Sequence, residues 1–256
     1  MDVRTPDGQR IAYRRIDGAR PVLLVHGFAS NVEATWGATG WLRAFEDAGR
    51  GVLAVDLRGH GASSKPTDAA SYAAETLARD LVAVLDAEGL VVADVIGYSM
   101  GSQVARELAG QHPERVSRLV LGGIGSSEPF AKVGVPAIRA ALRDGRPIDD
   151  PFLDGLLAGA QDLPETERAA LAACAEGMAT APVALVPLAP TLVAAGELDP
   201  IAVGALALAN QLAASYFEIP GRRHGNSLSA RAFKQVVIDF LGVSRAGMPE
   251  PGRVEP

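Results

Sequence analysis

Short runs of consecutive apolar residues alternate along this chain with longer segments of helical periodicity. The apolar runs are continuous, as in strands of a parallel sheet whose two faces are both covered by helices. They occupy residues 21–25, 51–56, 91–97, 119–123, 191–196 and 216–221. In the longer segments apolar residues recur at three- or four-residue spacing, as at Leu77, Leu81 and Leu85. We therefore predict an α/β fold with a mostly parallel sheet and helices on both faces.

The same pattern sets the expected limits of the domain. Helices are predicted at residues 72–88, 100–111, 203–214 and 230–241. Residues 10–15 alternate in polarity after the turn sequence PDG and predict an early antiparallel strand. A chain of 256 residues can bury one large core, so we expect a single domain over residues 1–243. Residues 244–256 are poor in apolar residues and rich in Pro and Gly, and we expect a disordered tail there.

The composition of the chain indicates which kinds of molecule the protein can bind. Apolar residues make up 48% of the chain and charged residues 21%, which is ordinary for a globular protein. The formal net charge of −6 offers no basic surface for nucleic acid or for an anionic membrane. The apolar stretch at residues 181–196 is shorter than a bilayer span and is interrupted by prolines. The first residues lack the apolar core of a signal peptide, so we expect a cytoplasmic protein with a small-molecule partner.

The sequence GYSMG at residues 97–101 stands between a predicted strand and a predicted helix. This context and the pattern G-x-S-x-G are typical of a nucleophile elbow, a sharp turn that raises a serine above the sheet. Gly97 and Gly101 leave room for the close backbone approach that such a turn requires. We therefore expect Ser99 to be a nucleophile and the backbone N–H of Met100, at the start of the helix, to stabilise an oxyanion. A glycine-bracketed turn with an incidental serine is the alternative interpretation.

A serine hydroxyl needs a general base, and the chain contains four histidines. His112 precedes a proline at a helix end and His60 lies in a glycine-rich loop, so both are interpreted as structural. His26 directly follows a strand and is interpreted as a residue that braces its loop. His224 lies between the last strand and the last helix, at the carboxyl edge of the sheet, where ligand sites form. We therefore predict that His224 is the base.

The base needs a carboxylate that orients it and stabilises its charged form. The loop after the next-to-last strand offers Glu197 and Asp199. We prefer Asp199, because Ser99, Asp199 and His224 then occur in the chain order of this motif. The alternative role for Asp199 is to cap the following helix, with Pro200 in its first position.

A second oxyanion donor is expected in the loop after the strand at residues 21–25, where HGF stands at 26–28. The backbone N–H of Phe28 is the candidate. The donors on Phe28 and Met100 would then face the same oxygen of a substrate.

These segments together resemble the α/β-hydrolase superfamily. The resemblance rests on HGF at 26–28, DLRGHGASS at 56–64, GYSMG at 97–101, GELDP at 196–200 and His224. It implies the α/β-hydrolase fold, with an eight-stranded mostly parallel sheet, a lid inserted after the sixth strand, and acyl-enzyme chemistry without a cofactor. Tyr98 and Ser102 stand where histidine and glycine are frequent in the family. Arg222 and Arg223, where small residues are often found, are interpreted as solvated or as attracting an acidic substrate.

The segment at residues 125–187 contains no convincing strand and is rich in Ala and Leu, with Pro and Gly between them. About sixty residues are too many for an ordinary connection, so we predict a helical lid above Ser99. The predicted pocket residues are Trp36, Tyr98, Phe130, Phe152 and Met178, with further aromatic surface from Phe28. Such a pocket favours apolar acyl groups of modest size. The alternative is a packing element with no influence on specificity.

A serine at the elbow argues against two activities of the superfamily, because haloalkane dehalogenases and epoxide hydrolases place an aspartate there. The leading hypothesis is a carboxylesterase that acts on a small ester. A lactonase, a C–C bond hydrolase or a cofactor-free perhydrolase with the same triad stays open, as does a ligand sensor without turnover. We expect no metal, because no cluster of His, Cys or carboxylates has metal-ligand spacing and Cys174 stands alone.

Overall fold

The computed structural model of the protein describes residues 1–126, 129–179 and 189–242. The strands are β1 Asp2–Arg4, β2 Arg10–Ile16, β3 Ala19–Val25, β4 Arg50–Val55, β5 Ala93–Tyr98, β6 Val116–Gly122, β7 Thr191–Gly196 and β8 Ser215–Ile219. The helices are α1 Trp41–Asp47, α2 Ala74–Ala87, α3 Met100–Gln111, α4 Pro129–Val133, α5 Val135–Asp144, α6 Pro151–Ala158, α7 Glu165–Ala179, α8 Ala205–Gln211, α9 His224–Ser227 and α10 Arg231–Phe240. Shorter helical turns occupy Glu33–Gly37, Ala69–Tyr72 and Pro113–Arg115. Within these ranges no helix has the length and apolar character needed to cross a membrane.

One sheet contains all eight of these strands, in the order β1-β2-β4-β3-β5-β6-β7-β8. β2 is antiparallel to both of its neighbours, and the pairs from β4 to β8 are parallel. Successive side chains of a strand face opposite sides of the sheet. Accordingly, Val22 and Leu24 pack in a layer with α1 and α10, whereas Leu23 and Val25 pack in a layer with α2 and α3. This arrangement confirms the predicted mostly parallel sheet with helices on both faces.

The predicted elements agree with the observed ones to within a few residues. The runs at 191–196 and 100–111 coincide with β7 and α3. The helix predicted at 203–214 begins only at Ala205, because Gly204 precedes it with a left-handed backbone, φ +80°. The elements β1, α1 and α9 have no predicted counterpart, since each is too short to show a periodic signal. The predicted tail at residues 244–256 lies outside the described residues.

The insertion between β6 and β7 is helical where the structure describes it, as α4 to α7. Helix α7 packs against α4 and α5, and α5 packs against α6. The Asp150 side chain accepts hydrogen bonds from the backbone N–H groups of Phe152 and Leu153, which fixes the start of α6. Ile138 and Leu153 are buried in the same apolar cluster as α2 and α3, so the insertion is anchored on that layer. Of the predicted segment 125–187, residues 127–128 and 180–187 lie outside the described part.

Candidate active site

The turn between β5 and α3 places Ser99 above the carboxyl edge of the sheet. Its backbone has φ +56° and ψ −125°, a conformation that non-glycine residues rarely adopt. The turn is fixed by two hydrogen bonds: the Ser99 N–H donates to the Gly122 carbonyl at 2.8 Å, and the Ser102 N–H donates to the Ser99 carbonyl at 2.9 Å. This strained geometry matches the nucleophile elbow that was expected of GYSMG.

The close packing of backbone around the elbow leaves no room for a side chain at Gly97 or Gly101. A β-carbon on Gly97 would collide with the Gly101 carbonyl, and one on Gly101 would collide with the carbonyl of Val25 on β3. Helix α3 therefore starts in direct contact with the two central strands, which holds the elbow in position.

His224 and Asp199 meet at the same edge of the sheet. The Nδ1 atom of His224 lies 2.8 Å from Oδ2 and 3.0 Å from Oδ1 of Asp199. His224 is 8% exposed and Asp199 6% exposed, so the pair is shielded from water. Because Nδ1 contacts the carboxylate, it carries the proton in the neutral ring, and Nε2 is the nitrogen that can accept one.

Asp199 also holds its own loop. Its Oδ1 accepts hydrogen bonds from the backbone N–H groups of Ile201 at 2.9 Å and Ala202 at 3.3 Å. Asp199 therefore also has the capping role given above as its alternative. The segment that it caps is a turn and not a helix, because α8 begins only at Ala205. The rival carboxylate, Glu197, instead accepts the Gly221 N–H at 2.7 Å and does not meet the histidine.

The loop with HGF at 26–28 lies against Ser99. A β-carbon on Gly27 would be 3.1 Å from the Ser99 β-carbon and 3.3 Å from the Tyr98 carbonyl. This proximity brings the backbone of Phe28, the predicted oxyanion donor, to the elbow and to the N-terminus of α3, where the other predicted donor, Met100, lies.

Two buried histidines brace this loop. His26 Nε2 accepts the Leu57 N–H at 3.0 Å, and His60 Nε2 accepts the Ala29 N–H at 3.1 Å. Their Nδ1 atoms contact the carbonyl oxygens of Gly27 and Arg58. Both rings must stay neutral to accept a hydrogen bond at Nε2 while Nδ1 donates one. Their contacts support the structural interpretation of both residues.

These two histidines predict a loss of stability in mild acid. Burial lowers the pKa of His26 from 6.5 to about 4 and that of His60 to about 3. Between those values and 6.5 the unfolded chain binds more protons than the folded one, so the free energy of unfolding falls as the pH is lowered through this window. Each histidine contributes at most about 1.4 kcal/mol per pH unit.

Urea unfolding at several pH values between 7 and about 4 measures this slope. The variant His60→Gln should show a shallower dependence of stability on pH than the wild type. Equal slopes for wild type and His60→Gln would contradict the assignment.

A cavity opens beside Ser99 between the sheet edge and the inserted helices. The space between its walls, counted together with open solvent at its mouth, amounts to about 410 Å³. The lining residues are Phe28, Ser99, Met100, Gln103, Gly123, Ile124, Gly125, Phe130, Phe152, Leu153, Leu156 and Ile201. Most of this wall is hydrocarbon, which is typical of small-molecule sites.

The structure brings two of the five predicted pocket residues to this cavity, Phe130 and Phe152. Trp36 and Tyr98 are instead buried in the α1–α10 layer, and Met178 is buried in the layer on the opposite face of the sheet. Trp36 packs edge-on against Trp41. The pocket assignment of these three residues is therefore corrected.

Tyr98 does not line the cavity, but it contacts His224. Its hydroxyl donates a hydrogen bond to the backbone carbonyl of His224, and the two rings lie 5.1 Å apart. The residue before Ser99 thus supports the loop that carries His224.

The inserted helices touch the site directly. The Phe130 ring of α4 lies 4.8 Å from the Phe28 ring, edge to face, and the Phe152 ring of α6 lies 4.9 Å from the His224 ring. These contacts place the insertion over the elbow and over the histidine.

Several lining residues were not predicted, among them Gln103, Ile124 and Ile201. The position of Gln103, four residues after Ser99 on α3, is the one signal that pointed to it, because residues at this spacing share a helix face. Among the described residues no group of three or more His, Cys, Asp or Glu side chains could hold a metal ion.

Comparisons with known proteins agree with this geometry. A family model for the alpha/beta hydrolase fold matches residues 20–176, more than half of the chain. The chain is 40% identical over 111 residues to 2-hydroxymuconate semialdehyde hydrolase of Pseudomonas putida, covering 43% of this chain and 38% of that protein. It is 39% identical over 114 residues to epoxide hydrolase B of Mycobacterium tuberculosis, covering 44% and 30%. The chain thus spans about a third of the length of these curated relatives.

One solved structure is similar over nearly the whole chain. The enol-lactonase from Burkholderia xenovorans LB400 is 25% identical, with a TM-score of 0.75, and the match covers 91% of this chain and 97% of that one. The similarity therefore includes the inserted helices as well as the sheet.

Proposed function

The chain belongs to the alpha/beta hydrolase fold family, and from this premise we propose that it is a serine hydrolase that cleaves small carboxylic esters. Ser99 is the proposed nucleophile, His224 the base and Asp199 the acid that orients the base. The observation that carries the proposal is the 2.8 Å contact between His224 Nδ1 and the Asp199 carboxylate, at the sheet edge that bears the strained elbow. A histidine held in this tautomer can take the serine proton at Nε2.

The reaction begins when the Ser99 hydroxyl oxygen attacks the ester carbonyl carbon and its proton passes to His224 Nε2. The C=O electron pair moves to the oxygen, and the resulting oxyanion collapses with release of the alcohol, which takes the proton from His224. Water then attacks the acyl-enzyme with His224 again as base, and Ser99 regains its proton as the carboxylic acid leaves. Asp199 stabilises the imidazolium formed in each half of the reaction.

The oxyanion would be stabilised by backbone donors at Met100 and Phe28. Met100 is the first residue of the twelve-residue helix α3, whose N-terminal N–H groups and dipole favour negative charge. Phe28 belongs to the loop that contacts Ser99 through Gly27. Preorganised donors of this kind are each worth about 10²–10³-fold in rate.

The cavity supports an acyl group of modest size as the substrate portion bound beside Ser99. The same triad would also attack a lactone, a vinylogous ketone in C–C bond cleavage, or an acid in peracid formation, so these remain the alternative reactions. The names of the relatives give 2-hydroxymuconate semialdehyde, an epoxide and an enol-lactone as substrates of those proteins. Serine rather than aspartate at position 99 disfavours the epoxide reaction. A small acyl compound in the cytoplasm is the partner that this proposal implies.

Labelling with a fluorophosphonate probe tests the proposal directly, because only an activated serine displaces fluoride from phosphorus. We expect one label per chain, carried by the peptide that contains Ser99, and no label when His224 is replaced by Gln. A panel of short esters, lactones and a vinylogous diketone then identifies the reaction. A chain that binds these compounds without labelling or turnover would be a sensor, and the proposal would be wrong.

The insertion is proposed to act as a lid that shapes acyl specificity. Phe152 lines the cavity and contacts the His224 ring, whereas Met178 is buried away from the cavity. Phe152→Ala should lower kcat/KM for a hexanoyl ester relative to an acetyl ester by about tenfold, since two lost methylene contacts cost about 1.6 kcal/mol.

Met178→Ala is the matched control. It removes a buried side chain and should lower stability by about 2–5 kcal/mol, but it should leave the hexanoyl-to-acetyl ratio unchanged. If Phe152→Ala also leaves the ratio unchanged, the insertion is a packing element and specificity is determined elsewhere.

A further inference from the structure

Gln103 occupies an unusual position in the cavity beside Ser99. It lies in the first turn of α3, four residues after the nucleophile, and it is 7% exposed. Together with Ser99 it supplies the polar side chains among the described residues that line this cavity, and the other lining residues are apolar or glycine.

The side-chain oxygen of Gln103 has no hydrogen-bond partner among the described residues, although it is fully buried. Buried amide oxygens in folded proteins nearly always have a partner, because leaving one without any is unfavourable. A buried acceptor of this kind in a ligand cavity is therefore best explained by a donor that arrives with the ligand.

Two other polar side chains of the same helix do have partners. The Ser102 hydroxyl donates to the Gly122 carbonyl at 2.8 Å, and Gln111 Nε2 donates to Glu107 Oε1 at 2.6 Å. Arg106 Nε of α3 is also buried without a partner among the described residues, but Arg106 does not line the cavity. Gln103 combines an unpaired buried atom with a place on the cavity wall.

We infer that Gln103 is a specificity-determining residue, whose amide oxygen accepts a hydrogen bond from an N–H or O–H group on the acyl chain of the substrate. This inference rests on the proposed function, since it requires an acyl group attached to Ser99. Gln103 lies about one helical turn, roughly 5.4 Å, beyond the start of α3. An acyl chain extending from Ser99 reaches this level with its third or fourth atom, counted from the carbonyl carbon.

Matched pairs of phenyl esters test the inference. Esters of N-acetylglycine and N-acetyl-β-alanine carry an N–H at the third and fourth atom of the acyl chain. Esters of 4-oxopentanoic and 5-oxohexanoic acid have the same shape with CH₂ in place of N–H. For the wild type we expect kcat/KM to favour the N–H member of at least one pair by about tenfold, the effect of one hydrogen bond of about 1.4 kcal/mol.

The variant Gln103→Met retains length and apolar volume but removes the acceptor, and it should reduce that ratio to about one. Gln111→Met, on the same helix but outside the cavity, should keep the wild-type ratio. The wild-type ratio is informative even if Gln103→Met fails to fold. A ratio close to one in both pairs would overturn the assignment and would mean that water satisfies the oxygen.

Two failures can be told apart by including phenyl butyrate and the variant Ser99→Ala. Hydrolysis that depends on Ser99 but shows no preference for N–H overturns only the role of Gln103. Hydrolysis that persists without Ser99 overturns the proposed function, and the inference about Gln103 with it.

Discussion

Replacing Ser99 with alanine is expected to lower kcat for ester hydrolysis by about 10⁴- to 10⁶-fold, because the variant lacks the proposed nucleophile. The residual rate would come from the oxyanion donors and from substrate binding. Alanine keeps the β-carbon of Ser99, so the elbow and its contact with Gly27 should persist, and the unfolding midpoint should change little. Steady-state kinetics and urea unfolding of the same preparation measure both quantities.

Ser102→Ala provides the matched control for this prediction. Ser102 lies three residues further along the chain, and its hydroxyl donates to the Gly122 carbonyl that also accepts the Ser99 N–H, but the hydroxyl has no part in the proposed reaction. This variant should lose stability by about 1 kcal/mol and retain activity. Undiminished turnover in Ser99→Ala would show that a different group attacks the substrate.

Replacing Asp199 with asparagine is expected to lower kcat by about 10³- to 10⁴-fold. The amide has nearly the same shape, and its oxygen can still accept the N–H groups of Ile201 and Ala202 that hold the loop. It cannot stabilise a charged imidazole as a carboxylate does, and its NH₂ group favours the wrong tautomer of His224. The loss should therefore appear in kcat with little change in stability.

Glu197→Gln is the corresponding control. Glu197 is the other acidic residue of the loop, but its carboxylate accepts the Gly221 N–H instead of meeting the histidine. It should cost far less activity than Asp199→Asn. The reverse ranking of the two variants would assign the orienting role to Glu197.

The strands β3 to β7 were predictable because they are largely buried on both faces and therefore appear as apolar runs. Where burial is one-sided or the element is short, this signal fades, and α1 and β1 have no predicted counterpart for that reason. The positions of Ser99, Asp199 and His224 were also predictable, since each directly follows a strand or lies at the carboxyl edge of the sheet.

The pocket was predicted less well, because residue type does not say which side of the sheet a side chain faces. Tyr98 and Trp36 are aromatic and close in sequence to site loops, yet both pack into the α1–α10 layer. Gln103 was overlooked for the converse reason, since a glutamine in a helix is normally solvated. Gln103 is buried because it shares the cavity wall with Phe152 and Leu153 of the insertion. The sequence near Gln103 does not predict this long-range contact.

The left-handed backbone at Ser99 has a further consequence. A non-glycine residue held in such a conformation costs roughly 1–3 kcal/mol of folding stability, and every folded copy carries this burden whether or not it meets a substrate. Glycine at this position would relieve the strain and would remove the hydroxyl at the same time. Under the proposed function, folding stability and turnover therefore compete at this one position, and a protein no longer selected for turnover could become more stable by one substitution at the proposed nucleophile.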